Sequence, residues 1–193
     1  MDPFKPGVHT HESFHDLKVS SDGLKGSTFT NCTFTQCQFH GMDFTGVNLT
    51  DCVFDHCEVT SPKLINTTIH GTTFKECKLL GADFTRCNSH LFTIAFSDCL
   101  IDTCNFSSLK LYRTPFHNCT IRETRFVSTI LTEADFDRSE FSNTIFHQCN
   151  LQKANFHTAR HYAIDPTAND IKGAKFSLPE AMSLLSGLGI ELK

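Results

Sequence analysis

The stretch NCTFTQCQFHGMDFTGVNLTDCVF, residues 31–54, returns a bulky apolar residue at every fifth position: Phe34, Phe39, Phe44, Leu49 and Phe54. An α-helix repeats about every 3.6 residues and a strand about every 2, so neither element alone explains a sustained period of five. The stretch therefore predicts a repeated unit that combines a short extended segment with a bend.

The period of five continues far beyond this stretch. If the central bulky residue is called i, it recurs in steps of five from Leu24 to Phe84 and again from Leu91 to Phe156. Two extra residues within RCNSHLF separate the two frames, and all 27 central positions are apolar. Self-similarity of this kind is typical of a solenoid built from stacked repeats.

The residue two before each central position is usually small: 21 of the 27 are Ala, Cys, Ser or Thr. Side chains alternate across an extended segment, so positions i−2 and i point to the same side, which we expect to be the interior. The other positions are rich in turn-forming polar residues. If each corner turns by roughly a right angle, four sides make one coil, and coils stack at about 4.8 Å. The 27 sides then predict nearly seven coils.

The length of 193 residues predicts one domain. The formal net charge of −4 predicts no overall attraction to nucleic acid or membranes. We predict an N-terminal lead-in and cap over 1–21, a β-helix over 22–158 with one frame break near 87–91, and an irregular last coil with a helix and tail over 159–193. There is no run of 18 apolar residues, and the N-terminal sequence does not resemble a signal peptide. A cytoplasmic protein is expected.

Ten cysteines at spacings such as Cys32/Cys37 suggest a zinc site or disulfides. All ten, however, fall at i−2 of one of the two frames: Cys32, Cys37, Cys52, Cys57, Cys77, Cys87, Cys99, Cys104, Cys119 and Cys149. We therefore predict free, inward-pointing core residues, a role that cysteine fills well. Unpaired thiols also favour a reducing compartment.

Histidines offer a weaker hint of metal binding. His9, His11 and His15 lie near the N-terminus, and His117, Asp137 and His157 are spaced by 20, which predicts one surface column. A solvated column is the alternative, because zinc sites usually converge three or four ligands. Common catalytic motifs are absent from the sequence, and a filled rod offers no pocket. We expect neither an enzyme nor a resident metal or cofactor.

The frame break predicts a small bulge that forms a contact surface. Counting by twenties places Phe92 outward and beside Tyr112, with Arg113 alongside, and the bulge itself contributes Asn88 and His90. Interfaces favour aromatic residues and Arg. The alternative is an ordinary exposed ladder of side chains.

Charge is distributed unevenly around the predicted rod. The two adjacent sides centred on Phe34 and Phe39 carry four bases and nine acids: Asp55, Glu58, Glu76, Asp98, Asp102, Glu123, Asp135, Asp137 and Glu140. The other two sides carry seven bases and four acids. An acidic strip along a narrow rod suits a basic, DNA-binding surface on a partner, whereas a normal mixed surface is the alternative.

The C-terminal segment predicts a short helix. SLPE at 177–180 has the pattern of a capping box, with Ser177 as N-cap and Glu180 three residues later. The apolar residues that follow are predicted to cap the rod and to join a twofold mate: Met182, Leu184, Leu185, Leu188 and Ile190.

The pattern resembles the pentapeptide-repeat family, with matches such as ADFTR at 82–86, ADFDR at 134–138 and ANFHT at 154–158. The resemblance implies an all-β, right-handed quadrilateral β-helix. With the tail LLSGLGI at 184–190, the chain is similar to the Qnr quinolone-resistance proteins, although those of Gram-negative bacteria carry two longer projecting loops. That likeness implies a homodimer joined through the C-terminal tail.

It also implies that DNA gyrase and topoisomerase IV are partners and that binding protects them from fluoroquinolones. A dimeric rod whose acidic sides imitate DNA is thus the leading hypothesis, without direct binding to nucleic acid. The alternatives are a structural or scaffold rod with another protein partner and, third, a metal-binding module.

Overall fold

The computed structural model describes residues 6–19 and 23–188. The chain forms an all-β, right-handed, four-sided parallel solenoid, as the repeat predicts, and its about eight turns exceed the predicted number of nearly seven. In chain order its strands are β1 (Val8–Thr10), β2 (Ser13–His15), β3 (Lys18–Val19), β4 (Thr28–Thr30), β5 (Thr33–Thr35), β6 (Gln38–His40), β7 (Asn48–Thr50), β8 (Val53–Asp55), β9 (Glu58–Thr60), β10 (Thr68–His70), β11 (Thr72–Lys75), β12 (Lys78–Leu80), β13 (Ile94–Ser97), β14 (Leu100–Asp102), β15 (Phe116–His117), β16 (Thr120–Arg122), β17 (Arg125–Val127), β18 (Glu140–Ser142), β19 (Ile145–His147), β20 (Asn155–Phe156) and β21 (Lys175–Phe176).

The strands stack into four sides, which we number in the order that the chain visits them. Side 1 holds the four-stranded sheet β1-β4-β7-β10, and side 2 holds the six-stranded sheet β2-β5-β8-β11-β13-β15. Side 3 holds the seven-stranded sheet β3-β6-β9-β12-β14-β16-β18, and side 4 holds the pair β17-β19. The pair β20-β21 extends side 2 toward the C-terminus. All pairs are parallel and in register at intervals of one coil, for example Phe34 with Phe54.

The interior is a set of stacked aromatic and aliphatic columns. On side 2 the rings of Phe34 and Phe54 stack with centroids 4.6 Å apart, and those of Phe116 and Phe136 stack at 4.9 Å. Rings of neighbouring sides meet edge to face, as Phe106 and Phe116 do. This arrangement suits the aromatic quadrupole while burying large apolar surfaces.

One part of the interior is less well filled. The coil with Leu49, Phe54, Val59 and Leu64 at its central positions contributes a single Phe, and a cavity of about 20 Å³ lies there. The cavity lining is apolar, which is typical of a void without water.

The corners explain why the remaining positions are polar. A residue two after the central one adopts a left-handed conformation, as in Asn31 (φ 53°), Asp51 (φ 52°) and Gly71 (φ 61°). Its amide donates to a carbonyl of the next coil, for example from Asn31 N to Thr50 O at 2.9 Å. Gly, Asn and Asp tolerate this conformation best, so the repeat selects small polar residues at its corners.

The N-terminal segment differs from the predicted lead-in over 1–21. Strands β1, β2 and β3 pair with β4, β5 and β6, so a coil is already formed by residues 8–19. His9 takes an inward position and stacks on Phe29 at 4.8 Å, and its Nδ1 lies 3.0 Å from Glu12 Oε2. The count of apolar central residues missed this coil because its first central position is occupied by a histidine.

The frame break also differs from its prediction. Leu91, counted as a central residue, is 65% exposed and has a left-handed φ of 60°, whereas Phe92 is only 5% exposed. Phe92 therefore points inward and packs edge to face against Phe84 at 6.2 Å. The prediction of an outward Phe92 is wrong, because burying the larger aromatic ring gains more than burying leucine.

The C-terminal segment is shorter and more irregular than predicted. A 3₁₀ turn, Glu180–Met182, leads into a single α-helical turn, α1 (Ser183–Ser186). The predicted capping box is not formed, because the Ser177 hydroxyl donates to His157 O and Glu180 Oε2 instead accepts from His161 N at 3.1 Å. In the described residues, no helix has the length and apolar character to cross a membrane.

Candidate protein-binding surface

The nine acidic residues predicted for a partner lie on sides 2 and 3 and on their corners. Asp55 ends β8 on side 2, and Glu58 and Glu140 begin β9 and β18 on side 3. Because coils stack about 4.8 Å apart, the carboxylates recur along the rod at multiples of this spacing. The arrangement can present an elongated negative potential to a partner.

Six of the nine carboxylates are held by neighbouring polar groups. Asp55 and Glu76 lie on opposite edges of the His56 ring, each 2.9 Å from a ring nitrogen. The hydrogen bond with Asp55 raises the pKa of His56, and the charge of Glu76 adds to this. Asp98 accepts from Asn118 at 2.6 Å, and Asp102 from the hydroxyl of Thr103 at 2.7 Å.

Asp135 and Asp137 are tied most closely into the fold. Asp135 Oδ1 accepts from the amide of Asp137 at 3.1 Å and from Asn155 Nδ2 at 2.7 Å, while its Oδ2 lies 2.9 Å from His117 Nε2. Asp137 accepts from Thr158 Oγ1, a bond that lowers the pKa of the Asp137 carboxyl, and it pairs with Arg138. These two carboxylates shape a turn as well as carrying charge.

The remaining three acids are Glu58, Glu123 and Glu140. Their side chains form no hydrogen bond or ion pair with another described residue. Glu123 and Glu140 are exposed and Glu58 is half-buried. They are the acids of this surface that form no direct ion pair, although Glu58 and Glu140 lie in register with Lys78 and Arg160 of the next coil.

The second predicted surface, at the frame break, is only partly assembled. Asn88 and His90 are exposed, but the buried Phe92 does not join Tyr112. Tyr112 is 50% exposed and has the Arg113 guanidinium 4.7 Å from its ring centroid. Glu133 binds both, accepting from Arg113 Nε at 2.7 Å and from the Tyr112 hydroxyl at 3.3 Å. This small cluster of Tyr112, Arg113 and Glu133 could be found from the sequence only by its 20-residue spacing.

The predicted dimerisation residues lie at the C-terminal end of the rod. Met182 and Leu188 are exposed, Leu184 packs against the core and Leu185 is half-buried. Ile190 lies outside the described residues. Leu178, which is not among the predicted dimerisation residues, adds a further exposed apolar side chain at this end.

The predicted role of the cysteines is confirmed: all ten are free and buried. Of the predicted metal ligands in the surface column, His117 instead contacts Asp135. Among the described residues, three ligand-bearing side chains converge elsewhere, in Asp55, His56 and Glu76, whose ligand atoms lie within 4.8 Å of one another.

Comparisons with known proteins agree with this architecture. A family model described as "Pentapeptide repeat region" matches residues 27–106, and one described as "SV2A/B/C luminal domain" matches residues 83–146. No curated protein sequence matches the chain.

Solved structures of QnrB1, described as a plasmid-mediated fluoroquinolone resistance protein, share the fold. A trypsin-treated variant is 18% identical, with 97% of this chain and 99% of that chain covered and a TM-score of 0.81. A second trypsin-treated variant is 19% identical, with 96% and 100% covered and a TM-score of 0.64. The repeat, the four-sided coil and the family match over residues 27–106 show that the chain resembles the pentapeptide-repeat proteins.

Proposed function

We propose that this protein binds a type II topoisomerase, DNA gyrase or topoisomerase IV, through sides 2 and 3 and protects the enzyme from fluoroquinolones. The observation that carries the proposal is the set of acids Glu58, Glu123 and Glu140, which form no direct ion pair and lie on side 3 or at the corner that follows it. A protein that binds DNA has a basic surface, and a rod with regularly spaced carboxylates complements it. The fold shared with QnrB1, described as a fluoroquinolone resistance protein, supports a role in protection from these drugs.

The filled core of the rod and its free thiols both agree with a topoisomerase partner. The rod presents its polar groups on the outside while its core is filled with stacked rings, so its role is binding and not catalysis. Ten free thiols suit the reducing cytoplasm, where these topoisomerases act.

The functional unit is a homodimer joined at the C-terminal end. Met182 is 46% and Leu188 is 52% exposed, and both lie next to the partly buried Leu184. Twofold pairing would cover these side chains and double the length of the acidic surface. The test is sedimentation equilibrium of the Met182→Glu, Leu188→Glu double variant, which we expect to be monomeric. Ile145→Glu, at an exposed apolar residue on side 4, is the matched control and should remain dimeric.

The function is tested by gyrase supercoiling in the presence of ciprofloxacin across a titration of the protein. We expect supercoiling to recover as the protein approaches an equimolar ratio to gyrase. A folded, dimeric protein that restores no supercoiling of either topoisomerase would overturn the proposal.

A scaffold rod with a different protein partner is the second candidate. It is favoured by the way six of the nine carboxylates are already bound within the protein, which weakens the field that a DNA-binding surface would meet. Affinity capture with purified gyrase as the competitor distinguishes the two, because a scaffold partner would not be displaced by gyrase.

A further inference from the structure

A file of five cysteines runs along the corner between sides 2 and 3. Successive coils contribute one thiol each: Cys37, Cys57, Cys77, Cys99 and Cys119. Neighbouring thiols of the file occupy the same position in adjacent, in-register coils, as Cys57 and Cys77 do one residue before the paired Glu58 and Lys78. The Cys57 amide also donates to Cys77 Sγ at 3.3 Å. The file is therefore a column of thiols that repeats at the spacing of the coils.

The fold does not require sulfur at these positions. The next residue in the same column is Ser139, whose hydroxyl accepts from the Cys119 amide at 2.9 Å. At other corners Thr124 and Asn169 accept from the amides of Cys104 and Cys149 in the same way. Since a hydroxyl or an amide fulfils the structural role, five consecutive thiols suggest a property that only sulfur supplies.

We propose that neighbouring thiols of this file bind a soft divalent metal ion, with Hg(II) as the defining example, between two sulfur atoms of adjacent coils. The coils lie about 4.8 Å apart. Two metal–sulfur bonds of about 2.3 Å each, in a straight line, span about 4.6 Å, so the ion fits the stacking distance.

The chemistry selects the charge and coordination number of the ion. Two thiols lose two protons to solvent as one Hg(II) binds, which leaves a neutral dithiolate complex. A monovalent ion held in the same way would bury a net negative charge, which is costly in an apolar interior. Zinc prefers four ligands, whereas each gap in the file offers two. Thiolates favour soft metal ions over hard ones.

The file lies beside an open groove on the surface. Cys57 borders this groove together with Gln38, His56, Glu58 and Glu76, but the residue itself is only 2% exposed. A metal site needs an entry path as well as ligands, and we expect the ion to enter from the groove by local opening of the coil.

The pairing of thiols predicts a specific stoichiometry. Five stacked thiols offer two separate pairs, and Cys32 with Cys52 offers a third pair in the corner between sides 1 and 2. The file should bind two ions and the whole chain three. Isolated buried thiols such as Cys104 and Cys149 should bind none while the protein stays folded.

The test is titration of the full, reduced chain with HgCl₂, monitored by native mass spectrometry, proton release and circular dichroism. Cys57→Ser with Cys99→Ser removes two thiols and leaves no adjacent pair in the file, so uptake should fall by two ions. Cys104→Ser with Cys149→Ser also removes two thiols but should lose no ion. Cys77→Ser removes one thiol and leaves two pairs, Cys37 with Cys57 and Cys99 with Cys119, so it too should lose none.

Uptake that follows the number of thiols and not the number of adjacent pairs would overturn the proposal. Uptake that occurs only as the β-sheet signal is lost would overturn it equally. Serine should be tolerated at Cys57, Cys77 and Cys99 because Ser139 occupies the same column, and at Cys104 and Cys149 because Thr124 and Asn169 are the polar residues that follow them in their own columns. Circular dichroism of each metal-free variant checks this before titration.

Discussion

Sides 2 and 3 and sides 1 and 4 are built from the same five-residue unit, yet they differ in regularity and in charge. Sides 2 and 3 carry sheets of six and seven strands, whereas the sheets described on sides 1 and 4 have four and two strands. The sheet of side 1 ends at β10, immediately before the frame break. The nine acids lie with the longer sheets. The difference teaches that interior stacking alone does not set the regularity of a side, because the rings of Phe84, Phe106, Phe126 and Phe146 also stack on side 4.

Substitution of a stacked ring on side 2 should cause the largest loss in the free energy of unfolding. Phe116 is fully buried and its ring lies between Phe96, at 5.1 Å, and Phe136, at 4.9 Å. We expect Phe116→Ala to lower the free energy of unfolding by about 3–5 kcal/mol. Leu131→Ala on side 1 should cost less, because it removes a smaller buried side chain. Urea unfolding of both variants measures the difference, and a larger loss for Leu131→Ala would break the comparison.

The stability of the corner between sides 3 and 4 should depend on a single buried hydroxyl. Thr124, between sides 3 and 4, donates to Arg122 O at 2.8 Å and accepts from the Cys104 amide at 3.3 Å. Thr124→Val leaves that buried amide without its acceptor, and we expect a loss of about 1–3 kcal/mol in thermal or urea unfolding. Thr68→Val, on the outer face of side 1, is the control and should change stability by no more than about 0.5 kcal/mol. Equal effects would show that the corner hydroxyl is dispensable.

The cavity beside Val59 offers a stabilising change on side 3. Val59→Ile adds one methyl group next to the void of about 20 Å³ and should raise the free energy of unfolding. The expected gain is about 0.5–1 kcal/mol. Ile121→Phe, in the fully packed part of the same side, should instead cost about 1–3 kcal/mol through overpacking. If both changes destabilise the protein, side 3 is uniformly packed and the cavity cannot accept an added methyl group.

Among these substitutions, a change at Tyr162, near the C-terminal end, should alter the free energy of unfolding at neutral pH the least. The residue is 2% exposed, and among the described residues its hydroxyl has no hydrogen-bond partner. Burial, with a smaller contribution from Glu180, raises the pKa of Tyr162 from 10.0 to about 12. The neutral phenol is therefore favoured by the fold, so its contribution to stability is complete below pH 10 and is lost as the pH rises toward 12.

Tyr162→Phe tests this dependence. The variant should be as stable as the parent protein at pH 7, to within about 1 kcal/mol, because no hydrogen bond is lost. Between pH 10 and 12 its stability should fall less steeply than that of the parent. Parallel pH profiles in thermal unfolding would contradict the assignment.

Most of the fold could be predicted because a period of five admits few geometries. Two local outcomes could not. Counting cannot decide whether Leu91 or Phe92 turns inward, since both are apolar and adjacent, and the larger buried ring decides it. The first coil was missed because His9 occupies an inward position, although Phe14 and Val19 already lie in phase with Leu24.

The candidate surface was predictable only as a distribution of charge. Spacing by twenties placed the acids on sides 2 and 3, but it did not reveal that Asp135 and Asp137 are tied into a turn. Hydrogen bonds of this kind depend on side-chain conformations and not on the repeat. We therefore expect Glu58, Glu123 and Glu140, which form no ion pair, to contribute more to partner binding than Asp135 and Asp137.

The most direct measurement is the affinity of gyrase for the protein and for two variants with the same change in net charge. Glu58→Gln, Glu123→Gln and Glu140→Gln remove three charges from side 3 and the corner that follows it. Thr30→Lys, Thr68→Lys and Thr132→Lys add three positive charges on side 1, where these side chains are half-buried. We predict that the glutamine variant loses at least about tenfold in affinity at low salt and that the lysine variant changes little. Equal losses in both, or none in the glutamine variant, would contradict recognition through the acidic sides.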